Sequence, residues 1–335
     1  MKGLVIRKLF GLSILSMVMV MMRMMLVAVV RNRGFRTDLS KRVTVRGPEA
    51  IMGLHLLWAA VNRFLLRKNG LPPAKDPDFY LQSEWLTRYD EGASSPELSK
   101  DQLDSEEIKN DIVKFNVGRE PRYYAWIAYD GCEYMPLINN NNPLWLNLKN
   151  SNTNGYSLSN TRNATGTGFL NKKFIVPNGV YLSSGSTSGD KFRIILIRMA
   201  ELYLNLAECY AALDRTDEAL ENLNVIRERA GVRKLTTADL STMSLMEWVR
   251  NERAIELHAE GHRYYDVRRW RIADQVMQPS EFKGLNGMTV NPSFEEFNQI
   301  VPIDQPIQWN VRQYLVPIKN SELYSDPQLV QAPGY

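Results

Sequence analysis

The stretch from residue 193 to residue 273 constrains the fold most, because its apolar residues recur at every third or fourth position. This spacing places apolar side chains on one face of a helix. In the first helix, the face expected to be buried consists of Ile195, Met199, Leu202, Leu206, Tyr210 and Leu213. Three alanines between them, Ala200, Ala207 and Ala211, would let a partner helix approach closely. The pattern predicts a helical scaffold.

A second helix is predicted after a turn at Asp214 and Arg215. Thr216 is expected to cap its N-terminus, where the acidic residues that follow suit the positive end of the helix dipole. The helix is expected to end just before Gly231. The residues that it should bury are Leu220, Leu223 and Ile226.

The sequence then repeats this plan. Ser244 and Glu247 form the capping box of a third helix, Gly261 interrupts the helical pattern, and residues 262–273 predict a fourth helix. Tandem helical hairpins are typical of tetratricopeptide-like arrays, but these two begin about 51 residues apart, whereas a regular repeat has about 34 residues. We therefore expect two repeat-like units with an irregular connection.

Charge is distributed unevenly along the 335 residues. Residues 1–70 hold 13 Lys and Arg against 2 Asp and Glu, a net charge of +11, whereas residues 71–335 hold 28 against 35, a net charge of −7. The mildly acidic globular part argues against a nucleic-acid partner. The two cysteines indicate no disulfide framework, and Cys209 is expected to be a buried thiol on the apolar helix.

The first 50 residues differ from the rest and form a separate segment, with the main domain at residues 51–335. Their apolar run from Leu9 to Met22 follows basic residues, as in an export signal or membrane anchor. Arg23 and the missing small-residue cleavage site leave a second interpretation open, a non-native start. No cysteine follows the run, so lipid attachment is not expected there.

The region between this segment and the helices is expected to be largely irregular. Residues 117–134 are rich in aromatic and β-branched residues and contain Asp130 and Gly131, which predicts a strand that ends in a tight turn. Residues 139–168 form a long loop rich in Asn, Ser, Thr and Gly, a kind that is usually functional or disordered. Residues 279–335 are expected to wrap the helices with little regular structure.

Four stretches, taken in order, form a pattern more specific than any one of them. They are Arg119–Tyr124, Arg198–Glu208 continued by Leu223–Gly231, Glu252–Trp270 and Tyr314–Tyr335. Together they resemble four segments of the SusD/RagB family of outer-membrane nutrient-binding proteins. The first is similar to that family's Arg-Asp-Pro-Arg-aromatic segment and the second to its third helical repeat. The third is similar to its most recognisable motif and the last to its closing segment.

The resemblance covers roughly residues 60–335 and corresponds to the C-terminal half of the family. It implies a mainly α, tetratricopeptide-like fold with a large irregular loop region and short strands. It also implies a surface-associated outer-membrane protein that binds nutrients, in particular oligosaccharides, over a SusC-type TonB-dependent transporter. The family's first two repeats and its lipoprotein cysteine have no counterpart here. Two alternatives stay open, a helical-repeat adaptor for protein partners and a non-functional fragment.

The charged residues of the Glu252–Trp270 stretch are expected to hold the fold together and not to perform chemistry. Its three glutamates are spaced four residues apart on one helix face, whereas glycoside hydrolysis needs two carboxyls facing each other across a cleft. A glycosidase is therefore the weaker alternative, and no enzyme is expected. The residues assigned to this structural motif are Glu252, Arg253, Glu256, Glu260, Arg263, Asp266 and Trp270.

The pair His258 and His262 has the spacing of zinc ligands on a helix. However, Ala259 stands where the zinc-protease pattern requires glutamate, and Gly261 weakens the helix between the two histidines. We therefore expect a structural role and no metal. The sequence contains no phosphate-binding loop or dinucleotide motif, so no cofactor is expected.

Aromatic residues of the loop region are the expected ligand contacts, because flat rings match the C–H faces of sugars and nearby polar groups match the hydroxyls. The candidates are Trp145, Tyr134, Trp126 and Tyr156. Trp145 is favoured, since Pro143 stiffens the approach to it and amide side chains flank it. In the alternative interpretation, Leu144 and Leu146 bury the segment in the core, and the aromatic rings contribute to packing and not to ligand binding.

Overall fold

The computed structural model describes residues 58–89, 112–139, 142–158, 165–173, 180–181, 187–188, 195, 197–303 and 309–335. The predictions for residues 1–50 therefore lie outside the described residues. Within those ranges the α-helices are α1 (Pro121–Trp126), α2 (Met199–Ala212), α3 (Thr216–Arg229), α4 (Leu245–Glu256), α5 (His262–Arg269), α6 (Ala273–Val276), α7 (Phe294–Phe297) and α8 (Asn320–Ser325). The β-strands are β1 (Ile127–Tyr129), β2 (Glu133–Asn139), β3 (Asn142–Trp145), β4 (Phe169–Asn171), β5 (Val180–Tyr181), β6 (Thr187–Ser188), β7 (Lys283–Leu285) and β8 (Ile300–Pro302).

Helices form in both predicted hairpins, and α2 packs against both α3 and α4. The second hairpin differs from the prediction, because α4 ends at Glu256, a turn through Ala259 (φ 59°) and Gly261 follows, and α5 ends at Arg269 and not at residue 273. The predicted capping box starts α4: the Ser244 backbone N–H donates to the Glu247 carboxylate at 2.8 Å, and Ser244 Oγ accepts from the Glu247 backbone N–H at 3.4 Å. Gly231 follows α3 and Gly261 precedes α5, with φ of 69° and 81°. Both lie in the left-handed region, which glycine adopts without steric cost.

The expected cap at Thr216 is wrong. Helix α3 already includes Thr216, Arg215 is its N-cap residue, and no side chain accepts a hydrogen bond from the helix there. The preceding Asp214 is in the left-handed conformation, with φ of 58°. Arg215 instead donates to Glu218 in the first turn, at 2.8 and 2.5 Å. The turn geometry therefore starts the helix one residue earlier than the capping preference predicts.

The buried face predicted for α2 is wrong. Five of its six residues are exposed: Ile195 by 63%, Met199 by 62%, Leu202 by 45%, Leu206 by 45% and Leu213 by 66%. The residues that α2 buries are Ala200, Leu204 and Ala207. Because α2 is apolar on both sides, its period alone does not select the core face. The side that carries the small residues is buried because it permits close packing of helices.

Cys209 also lies on the outer side of α2. Cys209 is exposed, so the expectation of a buried thiol is wrong. Its position in the helix places it on the face of the exposed Leu202 and Leu206 and not on that of the buried Leu204. The predicted buried residues of α3, Leu220, Leu223 and Ile226, are confirmed.

The strand predicted for residues 117–134 is partly wrong. Pro121 is the first residue of a short helix, α1, and β1 begins only at Ile127. Proline suits this position because its fixed φ is helical and its missing N–H needs no partner there. The predicted turn follows β1, and its Gly131 has φ of 86°. The long loop predicted after it contains β3, which pairs with β2.

The strands form four antiparallel two-stranded ribbons, β1–β4, β2–β3, β5–β6 and β7–β8. Ribbon β1–β4 pairs Tyr129 with Phe169, and both side chains are buried. They belong to one apolar cluster that continues into the helices through Leu204, Leu223 and Trp248. The loops after the ribbons are thereby attached to the same core as the helical hairpins. None of the described helices is long and apolar enough to span a bilayer.

Candidate functional site

The predicted structural motif surrounds a buried arginine of α1. The Nη1 atom of Arg122 lies 2.6 Å from Glu252 and 3.0 Å from Glu256, both on α4, and its Nε donates to Glu120 at 2.7 Å. Arg227 of α3 adds a second cation, 3.1 Å from Glu252. All five side chains are at most 5% exposed. The network therefore ties α1, α3 and α4 together inside the protein.

The outer part of this network reaches the solvent. Glu256 also pairs with Arg198 at 2.5 Å and with Arg229 at 2.7 Å. Glu260 pairs with Arg198 at 2.6 Å and with Lys173 at 2.5 Å. Lys173 follows β4, so the ribbon that carries the loops is linked to the end of α4.

The charges of this network stabilise one another against burial. Burial raises the pKa of a carboxyl, but Arg122 and Arg227 hold the pKa of Glu252 below its ordinary value. Burial lowers the pKa of Arg122, yet Glu252 and Glu120 raise it overall. For Lys173 burial prevails over the attraction of Glu260, and its pKa falls to about 8. Only Glu252 and Glu256 lie on α4, whereas Glu260 lies in the turn after it, so the predicted single helix face of three glutamates is wrong. All three are nevertheless paired with cations, an arrangement that links the elements that carry them.

The remaining residues of the motif hold α4, α5 and α2 together. Arg253 donates to Asp266 at 2.8 Å, and the Trp270 indole donates to Glu208 of α2 at 2.7 Å. Arg263 differs from the expectation, because in the described part of the chain it has no carboxylate within 4.0 Å. Burial lowers its pKa.

The two histidines have different neighbours. His258 stacks edge-on against Phe64 with ring centroids 6.0 Å apart, and His262 Nε2 lies 3.9 Å from Glu201. Burial lowers the pKa of His258 to about 4, so its imidazole is neutral at pH 7. Among the described residues, no group of three or more His, Cys, Asp or Glu side chains is placed to hold a metal ion.

A shallow depression of about 420 Å³ lies on the loop that follows β3. Its lining is mostly amide: Asn147, Lys149, Asn150, Asn152, Asn291 and Pro292. Each amide group can donate and accept hydrogen bonds. Within the described residues, the side chains of Asn147 and Asn152 have no hydrogen-bond partner. We call this depression the amide platform.

The loop under the amide platform is held by its own hydrogen bonds. Leu146 and Leu148 are buried, 2% and 3% exposed, while Asn147 between them faces outwards. Asp130 accepts from the Leu148 backbone N–H at 2.6 Å and also pairs with Lys149. Asn291 arrives from the C-terminal part of the chain and accepts from the Ser151 N–H at 2.8 Å. The platform is therefore arranged before any ligand arrives.

Gly155 closes this loop. A Cβ atom there would lie 2.7 Å from the carbonyl oxygens of both Leu148 and Asn150, closer than real Cβ contacts. The Gly155 N–H donates to the Asn150 carbonyl at 2.8 Å. Glycine is required because the chain crosses its own backbone at this point.

The four predicted ligand aromatics are not gathered in one place by the described contacts. Tyr134 is 3% exposed and belongs to the core, so its ring is no ligand platform and this prediction is wrong. Trp126 is half-buried, with the Lys173 ammonium 4.0 Å from its ring. Tyr156 is half-buried and directly follows Gly155. Trp145 ends β3 opposite Glu133, two residues before the amide platform, and its side chain lies outside the described part of the structure.

Sequence reasoning missed two contributions. It noted the asparagines around Trp145 in general terms but could not place Asn291, about 140 residues further on, beside them. It likewise recorded Arg122 only as part of a family segment and not as the partner of Glu252 and Glu256. One signal was available for the pairing of Arg122 with Glu252 and Glu256: in both stretches, charged residues stand among apolar and aromatic ones.

Comparison with known proteins agrees with this fold. The SusD family model matches residues 49–335. The structure named BT4246 is 43% identical with a TM-score of 0.74 and covers 83% of this chain and 44% of that one. The SusD-like carbohydrate binding protein BF0978 of Bacteroides fragilis is 24% identical with a TM-score of 0.51, covering 81% and 47%. SusD-like protein P2 of Formosa agariphila is 30% identical over 165 residues, which are 47% of this chain and 28% of P2.

The chain thus spans less than half the length of each of these relatives. The family match nevertheless includes both helical hairpins, the buried ion-pair network and the amide platform. The expected mainly α, SusD-like fold is confirmed. The chain belongs to the SusD family.

Proposed function

We propose that this chain binds oligosaccharides during nutrient uptake at the outer membrane, in partnership with a SusC-type TonB-dependent transporter. Membership of the SusD family supports the proposal. So does the description of BF0978, which has the same fold, as a carbohydrate binding protein.

The amide platform is the observation that carries the proposal. Sugar hydroxyls need several donors and acceptors in a fixed arrangement, and Asn147 and Asn152 offer amides that no described residue satisfies. The depression of about 420 Å³ is large enough for a sugar unit. Trp145 and Tyr156 flank it in sequence and remain the proposed stacking residues, with Trp126 further from it along the chain.

The proposal does not include hydrolysis. Retaining and inverting glycosidases need two carboxyls across a cleft, one of them free to take up or release a proton. Glu252 and Glu256 are buried and each is paired with at least two cations. Their place in the fold supports a bracing role.

A protein–protein adaptor is the second candidate, and one observation favours it. Helix α2 presents a row of exposed apolar residues, including Met199, Leu202 and Leu206. Large exposed apolar patches are typical of surfaces that bind other proteins. An adaptor needs this face and does not need the amide platform.

Calorimetric titration of the folded protein against a panel of neutral oligosaccharides separates the two candidates. We expect binding to at least one, and a loss of affinity in Trp145→Ala and Tyr156→Ala. Tyr324→Ala is the matched control, because Tyr324 is 85% exposed on α8 and does not line the amide platform. Its affinity should equal that of the wild type.

The stability of Trp145→Ala must be measured alongside, since truncation of a core tryptophan costs about 3–5 kcal/mol. A folded protein that binds no oligosaccharide, with Trp145→Ala only destabilised, contradicts the proposal. The adaptor is then the better explanation.

A further inference from the structure

A second cavity, of about 680 Å³, lies between the end of α5 and the C-terminal segment. It shares no lining residue with the amide platform. Its lining includes the arginines Arg268, Arg271 and Arg312 and the apolar or aromatic residues Val311, Tyr314 and Leu315. The volume is in the range of small-molecule sites, which combine a mostly apolar wall with a few polar groups. We call it the arginine cavity.

The three arginines of this cavity lack acidic partners. Within the described part of the chain, none has a carboxylate within 4.0 Å, whereas the adjacent Arg269 pairs with both Glu208 and Asp266. Asp274 lies beside the cavity, and its carboxylate accepts a hydrogen bond from the Tyr314 hydroxyl at 2.5 Å. Among the described residues of the lining, the charged side chains are the three arginines, which makes the lining positively charged.

Arg268 is held in a fixed position. Its Nε donates to the Gln313 carbonyl at 3.2 Å and its Nη1 to the Tyr264 carbonyl at 2.8 Å. The guanidinium lies 3.5 Å from the centre of the Tyr264 ring and 4.9 Å from that of Trp309. Its Nη2 has no partner among the described residues. A guanidinium fixed in this way loses little conformational entropy when it binds an anion.

Arg312 approaches from the C-terminal segment. Its Nη1 donates to the Gly334 carbonyl at 3.2 Å, and its guanidinium lies 5.1 Å from the Tyr335 ring. Arg271, just past α5, is exposed and has no side-chain partner among the described residues. The cavity therefore combines one fixed cation with two that are accessible to solvent.

We infer that the arginine cavity binds a carboxylate-bearing sugar, that is, a uronic acid unit. Guanidinium groups bind carboxylates through paired N–H donors, and the apolar wall with the Tyr314 ring matches the C–H faces of a sugar. A neutral sugar would leave the arginines without a counter-charge. The anionic part of the inference rests on the arginines alone, and the sugar part rests on the proposed function.

Calorimetric titration of the full chain with trigalacturonate tests the inference, with neutral galactotriose and sodium sulfate as comparison ligands. We expect trigalacturonate to bind more tightly than either, with an affinity that falls as salt is added. In Arg271→Gln/Arg312→Gln the affinity should fall by about tenfold or more, because two charge-assisted hydrogen-bonding groups are lost. Both residues are exposed, so the fold should persist.

Arg67→Gln is the control, since Arg67 is exposed and does not line the cavity. Its affinity for trigalacturonate should match that of the wild type. A parallel titration with the neutral oligosaccharide that the platform binds keeps this inference distinct from the proposed function, because Arg271→Gln/Arg312→Gln should leave that affinity unchanged. Equal binding of sulfate or galactotriose, no binding of trigalacturonate, or full affinity in the double arginine variant would overturn the inference.

Discussion

Glu256 is fully buried, and its carboxylate contacts guanidinium groups from three parts of the chain, Arg122, Arg198 and Arg229. Replacing it with glutamine would keep the shape but leave the buried Arg122, the half-buried Arg198 and the exposed Arg229 without their shared anion. Removal of one partner from a buried ion pair costs about 3–5 kcal/mol. We therefore expect Glu256→Gln to lower the free energy of unfolding by about 3 kcal/mol or more, measured by urea denaturation.

Glu228→Gln is the matched comparison, because Glu228 pairs with Lys234 at 2.9 Å while 64% of its side chain is exposed. Exposed pairs contribute at most about 1 kcal/mol. Equal effects of the two substitutions would show that the buried network does not brace the fold.

His258 makes stability depend on pH. Burial lowers its pKa from 6.5 to about 4, and its Nε2 is covered and has no hydrogen-bond partner among the described residues. The unfolded chain therefore binds a proton as the pH falls through 6.5, whereas the folded protein does not until about pH 4. The contribution of His258 to the free energy of unfolding is fully present above the unfolded pKa of 6.5 and decreases below it. The decrease between pH 7.5 and 5.5 is up to about 1.4 kcal/mol.

Urea denaturation at these two pH values checks this expectation. His258→Gln should remove up to about 1.4 kcal/mol of the difference between them. His262, whose pKa is also lowered by burial, should keep its share of the difference in that variant. If the free energy of unfolding differs between the two pH values by the same amount in His258→Gln as in the wild type, groups other than His258 cause the pH dependence.

At the residue scale, the charge pattern predicts that the glutamates of α4 brace the fold, and the structure pairs Glu252 and Glu256 with at least two cations each. Their shared partner Arg122 is 130 residues away from Glu252 in sequence. Helical spacing reports which residues share a face and not which distant element covers it. For the same reason the sequence predicts Tyr134 as a ligand contact, whereas its strand places it in the core.

At the level of elements, α2 shows the limit of periodicity. Its two apolar faces are equivalent by spacing, and only the packing of α3 and α4 against the small-residue side decides between them. Leu204 is fully buried and Leu206 is 45% exposed. We expect Leu204→Ala to lower the free energy of unfolding by about 2–5 kcal/mol and Leu206→Ala to change it by about 0.5 kcal/mol.

Thermal or urea denaturation of the two variants measures this difference directly. The two substitutions remove the same atoms from the same helix, so helix propensity cancels in the comparison. If Leu206→Ala is the more destabilising, the face of α2 that carries Leu206 is buried, and the orientation of α2 in the structure is wrong.

The loop after β3 has a shape that its sequence does not predict. Its length and its Asn, Ser and Thr content predict a loop that is functional or disordered. Its shape depends on Asp130, on the close approach at Gly155 and on Asn291 from a distant segment. These are long-range contacts, for which a local sequence pattern carries no signal.

At the scale of the whole molecule, the family match begins at residue 49, close to the boundary expected from charge and periodicity. We propose that residues 1–50 contribute nothing to the core. A chain lacking them should unfold cooperatively with the same urea midpoint as the full chain. A lower midpoint, or loss of cooperative unfolding, would show that the segment packs on the domain.

We propose that the amide platform binds the ligand and that the helical motif stabilises the fold. The most direct test is the affinity of Asn147→Ala/Asn152→Ala for neutral oligosaccharides, measured by calorimetry with the neutral sugar that the wild type binds. Asn320→Ala is the control, since Asn320 is an exposed asparagine of α8 that does not line the platform. We expect at least about tenfold weaker binding in the double variant, with an unchanged unfolding midpoint and wild-type affinity in Asn320→Ala. Wild-type affinity in the double variant would contradict it.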